Sequence, residues 1–343
     1  MVNKGRAARV KRDPEKDYYA DLRKVRLGSR PFMAGVMYFI VRKEPYFVPT
    51  TLDEQSKKLY YFADIFLDLK SEGKVKTTDP RHIGKREIDA FVVWMRSRDL
   101  KPASREKYLR VLNGYLLFWG NHELDDMWGR HELGALFKGA EEDIKYIEQE
   151  DLQKIFDTIR IWEGYEGILL RGYISLIFGV AGRPKEIIDA LIGDINTKDW
   201  IYYVRHPKGE GSWGKKEWLP IVRADMHPFI TQFLVERKAY LLACGIRSKF
   251  LFVNPTTGNP YTLKRMREIK HKVEIVSGVD FQLKEFRATY ATITFANAPE
   301  LGSAISKQMR HGNEATTRKY YIAYLHRQAA KHLQNEWKKS RIN

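Results

Sequence analysis

Trp200-Ile-Tyr-Tyr-Val204 and Trp218-Leu-Pro-Ile-Val222 flank the loop His206-Pro-Lys-Gly-Glu-Gly-Ser-Trp-Gly-Lys-Lys216. Both flanks are rich in aromatic and β-branched residues, which favour a pleated surface, and the glycines between them permit a tight reversal. The reading is a β-hairpin with a basic tip. Almost every other periodic stretch steps by three and four residues, as helices do. The fold class is therefore mainly α, of the α+β kind: helices with a small antiparallel sheet. Phe250 to Val253 is expected to add a third strand.

Upstream of the hairpin, helices are expected at about 150–160 and 165–180, the second strongly apolar. Gly179-Val-Ala-Gly-Arg-Pro184 must then turn before a helix starts at Pro184, a residue suited to a first helical position. Downstream, helices dominate from Tyr261 to a basic tail ending near Arg341. The acidic stretch Glu141, Glu142, Asp143, Glu148, Glu150, Asp151 interrupts a basic background and suits a linker followed by a helix N-terminus. A domain boundary is placed near residue 145, giving a second domain over 146–343. The first domain, 51–145, reads as three helices. Leu59, Phe62, Ile65, Phe66 and Leu69 define the first, capped by Thr51 or Asp53 and ended by Gly73. The second runs from about Gly84 to Ser97, and the third starts near Ser104. Lys101, Arg105, Lys107 and Arg110 cluster on the third as candidate DNA contacts. Residues 1–50 carry a net charge of +7 and read as a basic arm, either solvated or lying on phosphates.

At 343 residues the chain exceeds the ~250–300 at which one core stops growing, so two domains are expected. With 43% hydrophobic and 13% aromatic residues it is not a wholly disordered chain. Sixty Lys and Arg against 43 Asp and Glu leave a net charge of +17, which points to a polyanionic partner, nucleic acid ahead of a membrane. Cys244 stands alone and cannot form an intramolecular disulfide or a cysteine zinc site. No metal and no cofactor are expected. No run reaches the ~18 apolar residues of a membrane span. Pro31 to Val41 is about half that length and is flanked by Arg30 and Arg42. No secretory signal is evident, so a cytoplasmic, DNA-associated protein of the host cell is expected.

Three polar stretches of the second domain gain meaning in combination. Gly182-Arg-Pro-Lys-Glu186 puts Arg183 at a helix start, and taken alone that arginine is an ordinary surface residue. Lys284-Glu-Phe-Arg287 puts two cations three apart on one helix face, which alone is an ordinary solvated face. Arg310-His-Gly-Asn-Glu-Ala-Thr-Thr-Arg-Lys-Tyr-Tyr321 reads as a polar turn leading into a helix. In this order, with the basic hairpin between the first two, they resemble the tyrosine recombinase (integrase) family. That family has an arginine in a Thr-Gly-x-Arg-x-x-Glu turn, then a hairpin lysine, His-x-x-Arg, a Leu-Gly-His turn and a nucleophilic tyrosine nine residues past that histidine. Arg183 and Glu186, Lys208, Lys284 and Arg287, and His311 with Tyr320 occupy those places. The resemblance covers about 147–325, and the helical region 51–120 resembles the family's core-binding domain. Lys284 stands where the family has histidine, and Met309-Arg310-His311 replaces Leu-Gly-His. Both features look like the integrases of archaeal viruses and plasmids, and they leave Arg310 or His311 for the fifth catalytic place. Adjacent helical residues point ~100° apart, so only one of Tyr320 and Tyr321 can face the arginines, and the Thr316-Thr317 register favours Tyr320.

The resemblance implies a site-specific DNA recombinase that cleaves and rejoins DNA through a covalent 3′-phosphotyrosine, integrating or excising a mobile element. Arginine forks suit the non-bridging oxygens of a five-coordinate phosphorus, and Arg183 and Arg287 are the expected clamp. A phenol, whose pKa is ordinarily about 10 and falls beside cations, supplies the nucleophile. Lys208 would protonate the 5′-hydroxyl leaving group. Lys284 and His311, or Arg310, would add charge. Lys215 and Lys216, across the loop, are read as phosphate contacts or solvated lysines. The partner is a double-stranded attachment site. Exchange between two duplexes needs four active sites, hence a homotetramer on DNA, while the free protein could be a monomer. A type IB topoisomerase-like enzyme and a catalytically inactive architectural DNA binder are the alternatives.

Overall fold

A computed structural model describes residues 22–134, 144–211, 214–311 and 314–339. These fall into two compact units, one ending and the other beginning within the undescribed stretch 135–143. The basic cluster of the first twenty residues lies outside the described residues.

The first unit is all helical: α1 (Pro31–Lys43), α2 (Pro49–Ser71), α3 (Lys85–Ser97), α4 (Pro102–Phe118) and α5 (Glu123–Gly129). Here the arm expected over residues 1–50 needs correcting for its described part. Leu22, Leu27 and the α1 residues Phe32, Val36 and Phe39 are all buried in the unit's core. The period of α1 is masked because its buried face includes Gly35 while apolar Met37 and Val41 stand on the exposed side. Gly35 is required there: a Cβ would stand 2.3 Å from the Tyr115 hydroxyl. That hydroxyl donates to the Phe32 carbonyl at 2.9 Å. The start of α2 also differs from expectation. Pro49 opens it behind Val48, and neither Thr51 nor Asp53 caps it. Proline at the first turn forfeits only an N–H that has no helical partner anyway. Gly73, at φ +71°, follows its end as expected. Glu87 caps α3 by accepting the Gly84 N–H at 3.1 Å, and it also accepts the Lys76 N–H.

The second unit comprises α6 (Gln149–Ile161), α7 (Gly164–Gly179), α8 (Pro184–Ile188), β1 (Ile195–Asn196), β2 (Ile201–Val204), β3 (Glu217–Pro220), α9 (His227–Ala243), α10 (Leu263–Ser277), α11 (Glu285–Asn297), α12 (Gly302–Gln308) and α13 (Glu314–Lys339). Helix α7 is buried from Gly167 to Gly179, so its apolar residues surround it instead of forming a stripe. At Gly172 a Cβ would lie 2.3 Å from the Phe233 ring of α9, which is why the two helices can pack so closely. The sheet is antiparallel in the order β1-β2-β3, with Tyr202 opposite Ile195 on one side and Leu219 on the other. Tyr202 and Val204 point into the core. The hairpin is thus as read from the sequence, but its third strand is Ile195–Asn196. Phe250 and Val253 make only isolated bridges, to Leu191 and Pro260. Residues 250–253 are apolar because Leu251, Phe252 and Val253 are fully buried, a pattern that periodicity cannot tell from a strand.

Among the described residues no helix is long and apolar enough to cross a membrane.

Candidate active site

Two helix ends build the site, and both end alike. After α7 the Gly182 N–H returns to the Ile177 carbonyl, with Ala181 at φ +52°. After α12 the Arg310 N–H bonds the Lys307 carbonyl and the His311 N–H bonds the Ser306 carbonyl, with Arg310 at φ +51°. This is the left-handed termination that glycine usually supplies; a side chain there costs roughly 1–2 kcal/mol. Arg310 occupies the place where the related motif has glycine, yet the backbone keeps the glycine-like conformation.

Glu186, on the first turn of α8, gathers three segments. Its side chain is 2% exposed. It caps the helix by accepting the Arg183 N–H at 3.2 Å, and it pairs with the Arg183 guanidinium at 3.1 Å. It accepts the Lys208 N–H from the hairpin at 3.0 Å and is bonded by the Arg310 guanidinium. Burial pushes the carboxyl pKa up. Arg310, the Lys208 N–H, Arg183 and the Arg183 N–H outweigh this, and the net shift is downward. Glu186 is therefore ionised near neutral pH.

Arg287 of α11 is the second junction. Its guanidinium donates to the carbonyls of Ala181 and Met309, so a single side chain ties the two helix ends together. Gln308 reinforces this, donating to the carbonyls of Val180 at 3.2 Å and Pro220 at 2.9 Å. The Arg183 guanidinium also reaches the Arg310 carbonyl at 3.4 Å. His311 is half-buried, and its Nδ1 shares a 2.7 Å hydrogen bond with the Thr317 hydroxyl of α13. Burial, then Arg287 and Arg183, lower its pKa to about 4, so the ring is neutral at pH 7.

The structure thus brings together Arg183, Arg287, Arg310, His311 and the backbone of Lys208. Three guanidinium groups converge with one carboxylate, leaving net positive charge suited to an oxyanion. The Lys208 side chain is exposed beyond its anchored N–H and has no partner among the described residues. Gly214 keeps the loop tight, since a Cβ there would be 2.4 Å from the Lys208 carbonyl oxygen. Lys216 is paired with Glu210 at 2.7 Å, whereas Lys215 is exposed without a partner among the described residues. Ser212 and Trp213 lie outside the described residues. Lys284 does not join the Glu186 cluster. It is exposed at the start of α11 and lines a separate cleft beside Pro184. Tyr320 and Tyr321 lie on α13, one turn beyond Thr317, and their side chains are outside the described residues.

On the first unit, Arg110 is exposed, pairs with Glu106 and lies over the Trp128 ring at 5.1 Å. Arg105 is half-buried, with an Nε that finds no acceptor among the described residues. Lys101 precedes α4, and Lys107 is exposed beside Lys58.

Glu186 is visible in the sequence as part of a motif without a task attached, and Gln308 carries no motif at all. The only signal was positional: Glu186 falls three residues after a helix-opening Arg-Pro, where a capping carboxylate belongs.

Solved structures share this fold. The Tn1549 transposon integrase in complex with transposon right end DNA matches with a TM-score of 0.61 at 14% identity, covering 88% of this chain and 99% of that one. XerH site-specific recombinase bound to palindromic difH substrate gives 0.58 at 16%, covering 79% and 76%. A lambda integrase dimer bound to a core site gives 0.55 at 13%, covering 84% and 94%. Neither the known family models nor the curated proteins yield a match to the sequence. At identities this low the likeness is one of architecture: the mainly α, α+β fold is shared with these three structures.

Proposed function

We propose that the chain is a site-specific DNA recombinase of the tyrosine type. The observation that carries this is the convergence of Arg183, Arg310 and the Lys208 hairpin on Glu186, with Arg287 joining the same two turns. In this reading Arg183 and Arg287 bind the non-bridging oxygens of the scissile phosphate. The Tyr320 phenol gives up its proton to solvent as its oxygen attacks phosphorus, the 5′-oxygen leaves, and the exposed ammonium of Lys208 protonates it. The product is a 3′-phosphotyrosine and a free 5′-hydroxyl, and attack by a second 5′-hydroxyl reverses the step without ATP. Arg310 takes the fifth place as a cation, because His311 is neutral at pH 7 and engaged with Thr317. The basic cluster on α4 would contact the duplex backbone, and four subunits would assemble on two duplexes. A virus- or plasmid-borne element of archaea would suit Lys284 and Arg310.

Helix α13 packs on α11 and α12 of its own unit. Arg327 bonds Glu148 at 3.4 Å and stacks on the Tyr146 ring at 4.3 Å, so the helix is held to its own unit at that point.

The test is a nicked duplex carrying the ends of the element, incubated with the protein without magnesium. A covalent adduct is expected from the wild type and from Tyr321→Phe, and none from Tyr320→Phe. Loss in Tyr321→Phe alone would move the nucleophile by one residue. Relaxation of any supercoiled plasmid without strand exchange would favour the topoisomerase reading. Salt-sensitive binding with no adduct from any tyrosine would leave an architectural DNA binder.

A further inference from the structure

We infer that Gln308 is a positioning residue for Lys208, holding the hairpin so that the exposed ammonium meets the leaving oxygen. The identity of that step rests on the recombinase reading; the coupling of α12 to the hairpin rests on geometry. Gln308 ends α12 and is only 9% exposed. Its neighbours Ile305 and Met309 are apolar and buried, so a leucine or methionine would meet the needs of packing. What the amide adds is a pair of donors. Its nitrogen gives one N–H to the Val180 carbonyl at 3.2 Å and one to the Pro220 carbonyl at 2.9 Å. Burying an amide costs desolvation and side-chain freedom, which these two bonds offset.

Both carbonyls sit at junctions that bear on Lys208. Val180 follows α7 and leads into the turn that carries Arg183. Pro220 closes β3, an edge strand of the sheet, and a proline there offers an acceptor and no donor. From Pro220 opposite Ile201 the ladder runs to Glu217 opposite Val204, and the loop with Lys208 extends from that far end. On the loop, the Lys208 N–H is held by Glu186 at 3.0 Å; midway, the Tyr202 hydroxyl donates to the Glu186 carbonyl at 2.9 Å. The hairpin is therefore fixed to α8 at its middle and its loop. Gln308 fixes its base to α12, whose end leads into Arg310 and His311. Because the Lys208 side chain is exposed, the hairpin backbone sets the region that its ammonium sweeps. Without the bond to Pro220 the hairpin can tilt on its α8 attachment, and the acid moves relative to the arginines.

The experiment measures single-turnover adduct formation by the full chain on two nicked duplexes carrying the ends of the element. One has the ordinary 5′-oxygen at the scissile phosphate and the other a bridging sulfur. With oxygen, the P–O bond breaks and the leaving oxygen takes its proton from Lys208. With sulfur, the P–S bond breaks and a thiolate leaves unprotonated, since a thiol ionises at a pH of about 8.5. Lys208→Ala should be roughly 10²–10⁴-fold slow on oxygen, the range of a lost general acid, and close to wild type on sulfur. Gln308→Met should be on the order of 10–100-fold slow on oxygen, the scale of a misplacement of about 1 Å, and should also recover on sulfur. The ratio of the two rates within one sample does not depend on the folded fraction, so a destabilised variant cannot mimic this result. Gln308→Asn, which keeps the donors one methylene shorter, should move the ratio in the same direction by less. In a Lys208→Ala background, Gln308→Met should slow the oxygen substrate no further. Equal slowing on both substrates, or slowing on neither, overturns the positioning role and leaves the recombinase standing. No adduct from the wild type on either substrate removes the recombinase reading, and the positioning role with it.

Discussion

Replacing Glu186 by glutamine keeps the shape of the side chain but removes its charge, and it turns one acceptor oxygen into a donating amide. The amide oxygen can still accept the Lys208 N–H and one arginine bond. The amide nitrogen then faces the groups that bonded the other oxygen, the Arg183 N–H and the Arg310 guanidinium, and donors meet donors. The Arg310 side chain is only 10% exposed and its Nε is already without an acceptor among the described residues, so water compensates poorly there. The Arg183 side chain is 21% exposed and recovers part of its loss. Stranding one partner of a buried pair costs about 3–5 kcal/mol, and the partial exposure of Arg183 places this case near the lower end. For a unit of this size about 3 kcal/mol lowers Tm by roughly 6–12 °C. Urea denaturation and calorimetry would measure the change. The pH dependence gives a second readout with a definite sign. Glu186 has a lower pKa folded than unfolded, so its contribution is full above the unfolded value of about 4.3 and is lost as pH falls through the folded value. Wild type should therefore lose its advantage over the glutamine variant in acid. The double variant Glu186→Gln/Arg310→Met should be more stable than Glu186→Gln alone, because no cation is then stranded. A single variant within 0.5 kcal/mol of wild type at pH 7, with parallel pH curves, would refute the idea that this carboxylate organises the site.

Three further outcomes are expected. His311 should titrate by NMR with a midpoint near 4; its depressed value means stability is lost as pH falls from about 6.5 toward 4, and a midpoint of 6 or more contradicts the burial described. Arg310→Gly and Arg310→Ala remove the same charge, so their difference isolates backbone strain: the glycine variant should be more stable by roughly 1 kcal/mol in denaturant titration, and equal stability would mean φ +51° costs nothing. Gly172→Ala should destabilise by about 1–3 kcal/mol, because its methyl must displace the Phe233 ring; a neutral result in thermal melts would show that α7 and α9 can separate freely.

The fold class was legible because two unlike periods coexist: helical steps through most of the chain, and a short aromatic hairpin around Lys208. Helix α1 is hard to read because one of its buried positions is glycine and its exposed side carries Met37 and Val41, so the apolar stripe has little contrast. The misplaced third strand has a related cause: full burial erases the alternation that would separate a strand from an irregular core segment, as at Leu251 and Phe252. The arginines of the site could be picked out by their order along the chain. The roles of the backbone could not. That the Ala181 and Met309 carbonyls would be the acceptors for Arg287 depends on two helices ending side by side, which no local pattern encodes. The separation of Lys284 from the Glu186 cluster follows from its place at the very start of α11, where the side chain leans over the neighbouring cleft.

Because Arg287 supplies donors to both helix ends, the distance between α7 and α12 is gauged by the width of a planar fork. Lysine would conserve the charge and discard the ruler. An activity lost in Arg287→Lys would then report the loss of the fork, both from the gap it spans and from the phosphate it is proposed to hold, and free guanidinium ion restoring part of it would identify geometry, not net charge, as the missing ingredient.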